Sequence, residues 1–187
     1  TGALYHDVGK LHAPNWFIEN QDGSKNPHDE IDNPFRSAEV LQAHVDEGLH
    51  YARKNRLPKP IANFIPEHQG TLKMGYFFQK AKEKNLKINE NDFRYKGPIP
   101  QSKETAILML ADGCEAALRA MNINASDNEA LETISRIIYS RKKDGQLDDS
   151  NLSKGEIFLI KRAFLNVWKR IRHRRIQYPT TKNNTFS

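Results

Sequence analysis

Residues 1–10 read TGALYHDVGK, a run of small and apolar residues that ends in two adjacent titratable groups, His6 and Asp7. The spacing predicts the tail of a helix whose end presents both side chains together. An imidazole beside a carboxylate is costly to bury unless something pairs with them, and a metal ion is such a partner. Any further ligands then have to come from other helices.

Those helices can be followed along the chain. Asn33-Pro34 predicts an N-cap followed by proline at the first helical position, with the helix running to about Asn55. Leu41, His44, Val45, Gly48 and Ala52 share its inner face. A second helix is expected from near Pro58, with Ile61, Phe64, Ile65 and His68 at helical spacing. A short helix is expected within TLKMGYFFQKAKEK (71–84). Ser102 caps a helix carrying ETAILMLADGCEAALRAM (104–121), with Asp112 in an apolar setting where burial is expected. Capping boxes at Ser126/Glu129 and Ser153/Glu156 open two more helices. The first would turn Leu131, Ile134 and Ile138 inward. The second would turn in Ile157, Ile160, Phe164, Val167, Trp168 and Ile171.

Two stretches between helices read as loops: HAPNWFIENQDGSKNPHDEIDNP (12–34), expected to be long and ordered, and NLKINENDFRYKGPIPQ (85–101). No strand pattern of any length appears. The expected fold class is all-α, one domain over residues 1–179 with helices packed around a core, followed by a disordered tail at 180–187.

The composition agrees with one water-soluble domain: 187 residues, 37% hydrophobic, 28% charged. No apolar run reaches the length of a bilayer span, and no signal peptide is visible. The single cysteine, Cys114, excludes an internal disulfide. The formal charge of +6 lies partly in KRIRHRRIQYPTTKNN (169–184), which suits either an anionic partner or a solvated helix face.

His6, Asp7, His44, His68 and Asp112 therefore fall on successive helices or at their ends. Each alone reads more readily as a satisfied core group. Together they form a metal-ligand pattern of imidazole and carboxylate, which suits iron, manganese, zinc or nickel. His12, His50 and His173 lack such a setting, the last two being expected at the surface. His28, in NPHD, lies in the long loop near the expected site.

HDVGK (6–10) resembles the signature of the HD-domain metal-dependent phosphohydrolases. YHDVGKLHAPNWFIENQ (5–21), NPHDEI (26–31), HVDEGLHYARKNRLPKPIANFIPEHQGT (44–71), DFRYKGPIPQSKETAILMLADGCEAALRA (92–120) and DGQLDDSNLS (144–153) carry the resemblance further. In that order they resemble the cytoplasmic HD domain of the seven-transmembrane HD proteins, the PgpH type. The resemblance runs from residue 1 to about Pro179.

It implies the HD-domain helical fold and hydrolysis of cyclic di-AMP to linear pApA, at a centre of two divalent transition-metal ions, iron or manganese. Asp7 would bridge the two ions, with His6 and Asp112 on one and His44 and His68 on the other. Lys10 would face the phosphate and offset developing charge, making Asp7 and Lys10 the catalytic pair. His28, Arg94 and Tyr95 would contact the nucleotide, although Arg94 could equally brace its loop. The setting implied is the cytoplasmic side of an integral membrane protein, anchored by a transmembrane region preceding this stretch. A homodimer is compatible with it, and no nucleic acid partner is expected.

The chain departs from the family's pattern in two places. The family's further histidine, on an upstream helix, is absent from this stretch, so one metal would lack a ligand here and the stretch alone would be nearly inactive. Where the family commonly reads His-His, this chain reads His68-Gln69. GYF (75–77) also differs from the GYP signature of cyclic di-GMP enzymes. A competing reading follows: a degenerate HD domain that binds a nucleotide and signals without cleaving it.

Overall fold

The computed structural model describes residues 1–21, 25–84 and 86–175, with side chains to residue 172. The expected tail at 180–187 and the side chain of His173 lie outside the described residues. The chain is all-α, as expected. Its helices are α1 (Gly2–Tyr5), α2 (Pro27–Ile31), α3 (Pro34–Lys54), α4 (Lys59–Ala62), α5 (Phe64–Glu67), α6 (Gly75–Glu83), α7 (Lys103–Arg119), α8 (Asp127–Lys143) and α9 (Lys154–Arg175). Among the described residues there is no strand, only an isolated antiparallel bridge between Lys73 and Arg94.

Local chemistry sets most helix boundaries. Asn33 accepts from the Phe35 and Arg36 N–H groups, and Pro34 needs no partner for the N–H it lacks. Ser102 caps α7 through Thr105 N–H. Ser126 and Glu129 form the reciprocal capping box of α8, and Ser153 and Glu156 do the same before α9.

The stretch expected as one long loop is instead built from short helical turns. Val8–His12, Pro14–Trp16 and Ile18–Asn20 are 3₁₀ turns, and α2 follows. Pro14 and Pro27 each open a turn, and the Asn26 side chain caps α2 through His28 N–H. The second loop likewise holds a 3₁₀ turn, Glu90–Phe93. The helix expected from Pro58 is interrupted at Asn63 between α4 and α5. Pro66 lies four residues beyond Ala62 and cannot donate to its carbonyl.

Two helix faces differ from expectation. On α8 the buried positions are Ala130, Thr133, Ile134 and Ile138, whereas Leu131 lies one position off that stripe and is 36% exposed. On α9 Ile160 is buried, but Val167 and Ile171 are exposed and line an open groove of about 380 Å³ between α7 and α9.

One core joins α7, α8 and α9 through Ala106, Leu110, Cys114, Ile134, Ile138 and Ile160. A second joins α3 and α6 through Ala38, Phe77, Ala81 and Phe93. α5 contacts both α3 and α7. At one point the chain approaches too closely for any side chain: a Cβ on Gly9 would meet the His44 carbonyl oxygen at 1.8 Å. This seats the 3₁₀ turn after Asp7 directly against α3.

Candidate metal centre

Three histidines are anchored in the same way. Nδ1–H of His6 donates to Ala3 O at 2.8 Å, that of His44 to Leu41 O at 2.5 Å, and that of His68 to Ile65 O at 2.7 Å. A carbonyl can only accept, so each Nδ1 carries a proton and each Nε2 is turned inward. Such outer hydrogen bonds orient metal-ligating imidazoles.

The inward atoms converge on Asp7. Its Oδ2 lies 3.1 Å from His6 Nε2, and its Oδ1 lies 3.3 Å from His68 Nε2 and 3.6 Å from His44 Nε2. Asp112 Oδ1 stands 3.8 Å from His6 Nε2. The two carboxylate oxygens of Asp7 thus face different imidazoles. His6 Nε2, Asp7 Oδ1 and His44 Nε2 are buried without a hydrogen-bond partner. Buried polar atoms are rarely left unpaired, and three such atoms around one carboxylate fit a cation. His6, Asp7 and His68 bring their ligand atoms within 4.8 Å of one another, and the imidazole–carboxylate donor set suits a divalent transition metal.

Asp112 corrects one expectation. Its side chain is 41% exposed rather than largely buried, because it lies at the open edge of the cluster beside His6.

The protein's own charges show where a cation is favoured. Burial works against the His6 imidazolium, but Asp112 and Asp7 outweigh it and raise its pKa to about 10. Burial also works against the Asp7 carboxylate, yet His6, His68 and Lys10 hold its carboxyl far below the usual range. His44 goes the other way: burial, reinforced by His68, lowers it to about 4 and keeps the ring neutral.

Lys10 donates from the rim. Its Nζ lies 2.7 Å from Asp7 Oδ2 and also pairs with Glu19. Glu19 was not anticipated from the sequence, because its position depends on the 3₁₀ turns that fold residues 14–20 back. Tyr95 faces the same cluster, its ring 5.9 Å from that of His44. Burial first, then the charges of Asp7 and Asp112, push its hydroxyl above the usual range and keep it a neutral donor.

The other two residues expected to contact nucleotide are engaged elsewhere. His28 is 8% exposed, donates from Nε2 to Trp16 O at 2.9 Å and packs its ring against Trp16 and Phe77. Arg94 bonds Glu90 at 2.7 and 3.0 Å, Asp144 at 3.1 and 3.2 Å and Thr71 O at 2.9 Å. Its guanidinium braces three segments. His12 and His50 are exposed.

Gln69 reaches the cluster: its side-chain nitrogen lies 3.0 Å from His68 Nε2. Gly70, with φ of 52°, turns the chain in the left-handed region just after α5, which ends at Glu67. Glu67 was not anticipated. It is 3% exposed and accepts from Thr105 Oγ1 at 2.6 Å and Gln101 N at 2.9 Å, fixing the residue before His68.

Comparison with known proteins agrees with this geometry. Residues 1–117 match the HD domain family. The chain is 48% identical over 184 residues to the uncharacterized protein slr0104 of Synechocystis, covering 96% of this chain and 23% of that protein. It is 39% identical over 179 residues to the cyclic-di-AMP phosphodiesterase PgpH of Bacillus subtilis, covering 96% of this chain and 25% of that one. The chain therefore spans about a quarter of the length of these curated relatives. The crystal structure of the L. monocytogenes PgpH HD domain in complex with cyclic-di-AMP superposes with a TM-score of 0.86 at 36% identity, covering 91% of this chain and 78% of that one. The matched residues, the helical fold and the buried His–Asp cluster agree: this chain belongs to the HD-domain family and is homologous to the HD domains of the PgpH phosphodiesterases.

Proposed function

We propose that this protein hydrolyses cyclic di-AMP to pApA at a centre of two divalent transition-metal ions, iron or manganese. The observation that carries the reading is the division of Asp7: Oδ2 toward His6, Oδ1 toward His44 and His68. His6 and Asp112 would hold one ion and His44 and His68 the other, with Asp7 shared. Bound ions of this kind polarise phosphoryl oxygens and lower the pKa of water.

The chain's own groups orient the ester around that centre. Lys10, held between Asp7 and Glu19, meets a phosphate oxygen and offsets the charge that grows on it. Tyr95 keeps its proton and donates it as a hydrogen bond toward the substrate. His28 and Arg94 support the nucleotide loops from behind, His28 through Trp16 and Arg94 through Thr71. Likeness to PgpH supports the dinucleotide, and the cytoplasmic side of a membrane protein is the setting that the family resemblance implies. Among the described residues no helix is long and apolar enough to cross a membrane, so an anchor would belong to another part of the protein.

A second reading rests on Gln69, which stands where the family commonly has histidine: the domain binds the nucleotide and signals without cleaving it. Incubating full-length, Mn²⁺-loaded protein with cyclic di-AMP separates the two. Release of pApA supports hydrolysis. Saturable binding with an intact ligand supports the second reading, and the absence of both pApA and binding removes both.

A further inference from the structure

The segment DGQLDDSN, between α8 and α9, has no place in the reaction described above, yet it presses on the turn that follows His68. Gln146 is fully buried. Its Oε1 accepts from Thr71 N at 3.0 Å, and its Nε2 donates to Thr71 Oγ1 at 2.8 Å and Asp144 Oδ2 at 3.0 Å. Asp144 is in turn gripped by Arg94, which also holds Thr71 O. The fit is tight: a Cβ on Gly70 would meet Gln146 Oε1 at 2.4 Å.

The other side of His68 is fixed independently, through Glu67 to Gln101 and Thr105. The ligand is therefore suspended between two anchors. Its own imidazole bonds the Phe64 and Ile65 carbonyls and Gln69, and faces Asp7 Oδ1 at 3.3 Å. An amide at a fully buried position is costly unless it is satisfied, and here the hydrogen-bond partners are a residue of the turn itself and Asp144.

We propose that Gln146 is a positioning residue for His68. It sets the Gly70–Thr71 turn and thereby fixes where Nε2 of His68 and the amide of Gln69 point. The inference rests on the metal-centre reading and deepens it, by placing control of one ligand in a loop 75 residues away in sequence. Partners that orient metal ligands are worth roughly 10–100-fold in metal affinity when removed.

The test uses Co²⁺, whose visible absorption reports ligand geometry, on this chain without turnover. Gln146→Leu removes both bonds to Thr71. Thr71→Val removes only the hydroxyl acceptor and retains the shape. Ser150→Ala is the control: Ser150 is buried and closes the same loop by donating to Leu147 O, without touching the turn. Gln146→Leu and Thr71→Val are expected to weaken Co²⁺ binding about tenfold and to shift its visible bands. Ser150→Ala is expected to lower Tm and leave both unchanged. Should Gln146→Leu not fold, Thr71→Val decides. Parental affinity and spectrum in Thr71→Val would overturn the inference, as would an equal loss of affinity in Ser150→Ala. A parent chain that binds no Co²⁺ would overturn the metal reading and this inference together.

Discussion

Asp7 Oδ1 stands 3.3 Å from His68 Nε2, while Oδ2 of the same carboxylate stands 3.1 Å from His6 Nε2. One carboxylate thus faces imidazoles carried by different parts of the chain. His68 follows α5, His44 lies on α3 and Asp112 on α7. Asp7→Asn is expected to remove both equivalents of bound Mn²⁺, because an amide offers one neutral oxygen and no charge. His44→Ala is expected to cost one equivalent only. Metal content after dialysis, read by atomic emission, checks both, and retention of full metal by Asp7→Asn would contradict a shared ligand.

Gln69 gives a second expectation. Its amide lies 3.0 Å from His68 Nε2, so it is within reach of anything His68 binds. An amide donates less electron density than an imidazole, so in the full-length protein the ion on His44 and His68 should be the more exchangeable one. Gln69→His should tighten it and Gln69→Ala should change it little, in Mn²⁺ titrations followed by electron paramagnetic resonance. Unchanged affinity in Gln69→His would show that the side chain is not directed at the ion.

Gly9 tests how the fold delivers Asp7. Gly9→Ala places a methyl group 1.8 Å from the His44 carbonyl oxygen and 2.5 Å from Gly48 N, both backbone atoms that cannot rotate away. The 3₁₀ turn must lift off α3, at a cost of roughly 3 kcal/mol. Chemical denaturation should show that loss, and metal affinity should fall with it because Asp7 moves away from His44. Wild-type stability would mean that the close approach is not required.

Cys114 gives a pH dependence away from the centre. Burial raises its thiol pKa from 9.0 to about 11. The folded protein therefore keeps a proton that the unfolded chain loses. This contribution to stability is complete below about pH 9 and fades as pH rises toward 11, by about 2–3 kcal/mol in all. Urea melts across that range should show a shallower decline in Cys114→Ala than in the parent. The native thiol should also resist iodoacetamide at pH 8 and react once unfolded.

The helices were legible because their signals are local. Asn33-Pro34, Ser102, Ser126/Glu129 and Ser153/Glu156 each set a boundary within a turn. His44 and His68 showed themselves by standing on apolar faces. The residues around them depend on contacts far along the chain, which periodicity does not register. Arg94 sits between Glu90 and Asp144, Glu67 meets α7, and His28 meets Trp16. Asp112 is polar on an apolar helix, and the sequence alone could not show that its side chain stays 41% exposed beside His6. The exposed Val167 and Ile171 follow the helical period correctly and yet line a groove, because α9 extends past the core that its first turns help to close.

The most direct test of the account is hydrolysis by the full-length protein, loaded with Mn²⁺ or Fe²⁺ and given cyclic di-AMP or cyclic di-GMP in parallel. The expected result is pApA as product, a faster rate with cyclic di-AMP, and loss of turnover in Asp7→Asn and His68→Ala. Metal-loaded protein that leaves cyclic di-AMP intact, or an Asp7→Asn variant that turns over at the parental rate, would contradict it.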